Sequence, residues 1–210
     1  MPYSGTDEVY GSRVPFPSPP WSMQGHMWLS LFPVRSGTPE RPAGLYGAAF
    51  VDYVEGSVLT YRELLVARLV RDGAVPRVHI TDIWVDSEAS RDGGRSLWAI
   101  PKDLAELHVL QRGVGPADRV SGDANINGSA LAAARFTAPR VPSLRTPFAF
   151  TVDQEREDGS RTVTSVSGSS RNMLVHGRWD FGADGPLAWL AGRRPVGSFR
   201  LGDFRMTFGG

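Results

Sequence analysis

Apolar and polar side chains alternate in short runs along most of the chain. A period of two sends successive side chains to opposite faces of a strand. The clearest run is 77–85, Arg-Val-His-Ile-Thr-Asp-Ile-Trp-Val, which is rich in β-branched residues. Strands are also expected over 25–34 and 45–54, with one or two more over 57–70 around Tyr61-Arg62-Glu63. Segments 104–110, 129–137, 148–152, 162–166 and 173–179 read the same way. The strands at 148–152 and 162–166 face each other across the polar turn Glu157-Asp158-Gly159-Ser160. Residues 198–208 read as a final hairpin or bent strand around Gly202-Asp203. Pro33, Gly37, Pro39, Pro42 and Gly56 punctuate the runs, and Asp72-Gly73 is a hairpin signal.

Two stretches depart from this pattern. Asp86 and Ser87 can cap a helix running from Glu88 to about Trp98. Gly93 and Gly94 weaken that helix by about 1 kcal/mol each. Pro101 holds Ile100 extended, so the chain bends and presents Lys102 at an element boundary. Asp184 can cap a second short helix, 186–191, ended by Gly192. The pattern predicts an irregular N-terminal arm, 1–20, and one domain, 21–210, that is mostly β (α+β) with two short helices. Tyr3, Tyr10, Phe16 and Trp21 can anchor the arm to the body or to a neighbouring subunit.

Composition narrows the function. The chain of 210 residues can bury a continuous core without staples. A net charge of +1, with no basic stripe interleaved with aromatics, argues against nucleic acid or an anionic membrane as partner. No apolar stretch approaches the roughly 20 residues of a membrane span. The first twenty residues lack the apolar core of a signal peptide, so a soluble, cytoplasmic protein is expected. With no cysteine there is no disulfide, Cys-ligated metal or thiol nucleophile. His79, His108 and His176 are isolated and lack metal-ligand spacing. The basic residues are 22 arginines and a single lysine, Lys102. Where arginine serves every need for positive charge, a retained lysine suggests a task arginine cannot perform: losing its proton and acting as an amine nucleophile.

Three blocks carry a family resemblance. They are Tyr61-Arg62-Glu63, then Trp84-Val85-Asp86-Ser87-Glu88-Ala89, then the run Gly94-Arg95-Ser96-Leu97-Trp98-Ala99-Ile100-Pro101-Lys102-Asp103-Leu104. With this spacing the stretch resembles the acetoacetate decarboxylase superfamily, most clearly over residues 45–110. The resemblance implies a closed or cone-shaped antiparallel β-barrel with flanking sheet and helices, enclosing a pocket. It makes Lys102 the Schiff-base lysine and Glu63 a pocket carboxylate. It also implies a homo-oligomer and a small oxo-acid substrate, with no cofactor or metal. The sequence departs from the family at several positions. Asp103 stands where a second lysine is usual, Ser96 where a glutamate follows Gly-Arg, and Ala48 near a second pocket carboxylate. Gln24, Gly25 and His26 fall where the family has an arginine before the first core strand.

Lys102 and Glu63 are therefore the candidate catalytic residues, and Gln24, His26, Arg95 and Trp98 the candidate substrate-binding residues. Taken alone, Glu63 reads as a strand carboxylate paired with Arg62 or Arg68, and Trp98 as core. A free lysine titrates near 10.4; bringing it near 7 takes about 4 kcal/mol of differential stabilisation. Burial or the Arg95 guanidinium could supply that, and Asp103 would oppose it. The expected activity is that of a decarboxylase-like lyase on a β-keto or oxo acid. Alternatives are an aldolase, dehydratase or cyclase using the same lysine, or a non-catalytic binding barrel.

Overall fold

The computed structural model describes residues 14–70, 76–114 and 117–210. Most of the expected arm and the Asp72-Gly73 signal lie outside the described residues. The chain runs β1 (Trp21–Val34), β2 (Gly44–Tyr53), β3 (Tyr61–Val70), β4 (Arg77–Val85), α1 (Glu88–Trp98), β5 (Lys102–Leu104) and β6 (Glu106–Val114). It continues through β7 (Ala117–Ile126), β8 (Ser129–Pro139), β9 (Arg145–Glu155), β10 (Arg161–Leu174), β11 (His176–Phe181) and β12 (Gly197–Phe208). The second expected helix is reduced to one 3-10 turn, Ala188–Leu190, confined between Pro186 and Gly192. No helix among the described residues is long and apolar enough to cross a membrane.

Strands pair in the order β3-β2-β1-β12-β10-β9-β4, and β4 pairs back onto β3, so seven strands close a barrel. The closing step differs from the antiparallel expectation. β4 meets β9 in parallel through two residue pairs, Arg77 with Thr151 and Val78 with Val152. Short β5 occupies the rest of that edge, also parallel, with Lys102 opposite Ile83. A second sheet, β11-β8-β7-β6, covers one side of the barrel.

Alternation divides each strand between two compartments. On β1, Met23, Met27, Leu29 and Leu31 face the barrel lumen. The intervening Trp28, Phe32 and Val34 pack towards the second sheet with Phe50, Leu64 and Phe136. Trp179 stacks on Phe50 at 5.4 Å and on Phe181 at 5.2 Å. Burying each such aromatic stabilises the fold by about 1.5–3 kcal/mol.

β7 was not foreseen from the sequence. Its inner face is Val120, Gly122 and Ala124, too small to stand out as an apolar period. Gly122 is required there, because a Cβ would lie 2.8 Å from the Phe50 ring. The run at 173–179 is divided between β10 and β11, with Val175 N–H turned to the Ser198 carbonyl at 3.0 Å. Residues 198–208 form one bulged strand, with Asp203 in the left-handed region at φ 46°.

Candidate active site

The site forms where α1 hands the chain back to the barrel. Ser87 caps the helix, its Oγ accepting from Ser90 N–H at 3.2 Å. The helix ends at Ala99, whose φ of 55° turns the chain towards Pro101. Its amide donates to the Arg95 carbonyl at 3.1 Å. The glycine pair that weakens the helix has a packing role. A Cβ at Gly93 would lie 2.6 Å from the Trp21 ring, and one at Gly94 would lie 2.8 Å from Lys102 Cδ and 2.9 Å from Cε. Only glycine lets the lysine stem run against the helix.

Lys102 is 4% exposed. Its Nζ donates to Ser90 Oγ at 2.9 Å, Glu63 Oε2 at 3.0 Å and Tyr61 Oη at 3.2 Å. Tyr61 also presents its ring face, with the centroid 5.0 Å from Nζ. Tyr53 donates to Glu63 Oε1 at 3.3 Å and lies 4.4 Å from Tyr61, ring to ring. Tyr61 and Glu63 share the inner face of β3 because they are two residues apart. Tyr53 faces Tyr61 in the β2–β3 register.

Burial alone would drive the proton off Lys102, but the Glu63 carboxylate and Tyr61 outweigh it, and the net effect raises its pKa. That direction is opposite to the depression expected from burial or Arg95. Burial also pushes up the Tyr53 and Tyr61 hydroxyls, Tyr53 most strongly. Both tyrosines stay neutral. Transfer of one proton from Nζ to Glu63, across 3.0 Å, converts the pair into a nucleophilic amine and a carboxylic acid.

The predicted residues do not all converge. Lys102, Glu63 and Trp98 line a cavity of about 450 Å³ inside the barrel. Trp98 is held edge-on by Trp21 at 4.8 Å and by Phe208 at 4.6 Å. Gln24 and His26 belong to the other face of β1, the one that carries Trp28. Gln24 lies over Gly56, and its backbone is tied to Ser57. His26 Nδ1 accepts from Asp203 N–H at 3.1 Å. Arg95 is outside the cavity, donating to the Lys102 carbonyl and the Asp103 carboxylate. Asp103 therefore neutralises Arg95 on the outer side while Lys102 turns inward, as neighbours in an extended segment do.

Sequence reasoning missed Ser90, Tyr53 and the amine-contacting role of Tyr61. For Tyr61 the signal was present, two residues before Glu63 on one strand face. For Tyr53 it lay in the pairing of β2 with β3. For Ser90 no signal distinguishes it from any serine in a first helical turn. Among the described residues, no group of three or more His, Asp or Glu side chains is placed to hold a metal.

Several solved structures share this architecture. The enduracididine biosynthesis enzyme MppR complexed with pyruvate is 17% identical, with TM-score 0.66 over 96% of this chain and 91% of that one. Acetoacetate decarboxylase from Legionella pneumophila is 14% identical, with TM-score 0.60 over 96% of this chain and 91% of the other. An acetoacetate decarboxylase-like enzyme from Sphingomonas wittichii RW1 is 15% identical, with TM-score 0.58 over 91% of each chain. At these identities the likeness carries the fold. No curated protein sequence matches the chain. The acetoacetate decarboxylase (ADC) family model matches residues 38–171, more than half of the length, and the chain belongs to that family.

Proposed function

We propose that the protein is a Schiff-base lyase that acts on a carbonyl substrate through Lys102, with Glu63 as its proton-transfer partner. The observation that carries this reading is the sole lysine of the chain, buried at the lumen with its Nζ 3.0 Å from Glu63. After transfer of its proton to Glu63, the amine attacks a ketone or aldehyde carbon and forms a carbinolamine. Loss of water, with Glu63 supplying the proton, leaves an iminium. In a β-keto acid the bond to the carboxylate then breaks and its electron pair moves to nitrogen, giving an enamine and carbon dioxide. Protonation at the α-carbon and hydrolysis release the ketone and the free amine. Tyr61 and Ser90 hold Nζ in place through these steps.

Decarboxylation is the simplest outcome of that electron sink. Aldol cleavage or condensation with dehydration uses the same enamine. The structural likeness to MppR complexed with pyruvate makes this the second reading.

The test is to incubate the protein with acetoacetate, pyruvate and larger carbonyl compounds, add borohydride and measure intact mass. A reduced adduct is expected at Lys102, lost in Lys102→Ala and Lys102→Arg. Release of carbon dioxide separates decarboxylation from aldol chemistry. If no carbonyl compound labels the amine, the chain is a binding barrel and the lyase reading is overturned.

A further inference from the structure

We infer that the substrate is a carbonyl compound carrying a long apolar tail, which lies along the barrel lumen with its carbonyl at Lys102. This rests on the Schiff-base reading and names its substrate class.

The polar groups of the lumen, Lys102 and Glu63 with the hydroxyls of Tyr53 and Tyr61, gather at one end. Among the described residues the remaining wall is hydrocarbon, including Met27, Leu29, Leu65, Leu69, Phe148 and Met206, and holds no arginine or histidine. Lys102, the one cation among the described lining residues, is already matched by Glu63 at 3.0 Å. A carboxylate remote from the reacting carbonyl would meet no counter-charge among these residues, and burying it so is strongly unfavourable. A hydrocarbon tail meets no such penalty.

The lumen is also long and kept open. Glu63 and Leu69 both line it, six residues apart along β3, which is about 20 Å of strand. Two-thirds of the way, Ala67 sits directly opposite Gly47, so neither of these strands sends a large side chain inward at that level, and the flexible Leu29 side chain lies over Gly47. Exposure follows the opposite of the usual inside–outside rule. Leu64 and Val66, which point away from the lumen, are 0% exposed. Leu65 and Leu69, which line it, are only half-buried. Apolar surface left uncovered inside a cavity marks a place for an apolar ligand. A dry cavity of about 150 Å³ accommodates benzene, so 450 Å³ has room for a tail of about a dozen carbons.

The test is a chain-length series of 2-alkanones, from 2-butanone to 2-tridecanone. Matched ketones ending in a carboxylate, together with acetoacetate and pyruvate, complete the set. Borohydride trapping at Lys102 gives the half-saturating concentration of each. That concentration is expected to fall about three- to fourfold per methylene until the lumen is full, and a terminal carboxylate is expected to cancel the gain. Ala67→Phe, checked for cooperative unfolding, is expected to move the plateau to shorter chains and to lower the long-to-short preference at least tenfold.

Calorimetric binding of 2-undecanone to Lys102→Ala separates the two readings, because it needs the lumen and no imine. Binding there supports the inference even if no compound is trapped on the wild-type amine; failure of trapping alone sinks the Schiff-base reading. If acetoacetate or pyruvate saturates Lys102 at lower concentration than any alkanone, the imine chemistry stands and the apolar inference is overturned. Lack of 2-undecanone binding to Lys102→Ala also overturns it.

Discussion

Lys102 Nζ lies 3.0 Å from Glu63 Oε2, so a change to the carboxylate should appear in the behaviour of the amine. Lys102 has its pKa raised in the folded protein. It therefore contributes stability in full below the unfolded value of about 10.4 and loses it as pH rises through the folded value. Urea unfolding from pH 7 to 11 should show stability falling above about pH 10.4. Glu63→Gln removes the pairing that opposes burial. The amine then favours its neutral form, and that alkaline loss should disappear. The same variant lacks the proton acceptor and should lower turnover by about 10²–10⁴-fold. Gly94→Ala separates chemistry from stability. Alanine gains up to about 1 kcal/mol of helix propensity, yet its Cβ meets the lysine stem 2.8 Å away. Unfolding midpoints should move little while imine trapping slows at least tenfold. Lys102 was legible because no other lysine competes with it, and Glu63 because its block resembles the family. Gln24 and His26 were drawn in by alignment alone. The alternation of β1, with Met23 and Met27 facing the lumen, already assigned them to the other face.

At the scale of elements, the second sheet contains pairings that hydrophobic patterning does not reveal. Its outer face sets Arg112 opposite Arg119 and Arg135 opposite Arg178. Among the described residues none of the four has a carboxylate partner. Like charges directly across a ladder are destabilising, in a range of about 0.2–1 kcal/mol. Arg119→Glu should accordingly stabilise the protein by about that amount, read as a shift in urea midpoint that shrinks at high salt. The strands that bury large alternating residues, such as β3 and β4, were readable within a few positions. β7 was not, because Gly122 and Ala124 occupy the positions where bulk would have marked the inner face. The second helix failed for a different reason. Pro186 and Gly192 leave room for only one tight turn.

For the molecule as a whole, closure of the barrel rests on two parallel residue pairs between β4 and β9, with Thr151 N–H also donating to the Pro76 carbonyl at 3.0 Å. Nothing in the sequence of either strand announces that seam, since parallel pairing depends on strands distant along the chain. The burial of the only lysine carries a practical consequence for measuring global stability. A protease that cuts after lysine has a single target in the chain, the bond between Lys102 and Asp103. In the native state the lysine side chain that such a protease must seat is buried between α1 and the barrel wall, although Asp103 is exposed. Scission into fragments 1–102 and 103–210 should therefore count the molecules that have opened. It should stop altogether once reduction has fixed a substrate on the amine, so that one gel band reports both unfolding and occupancy.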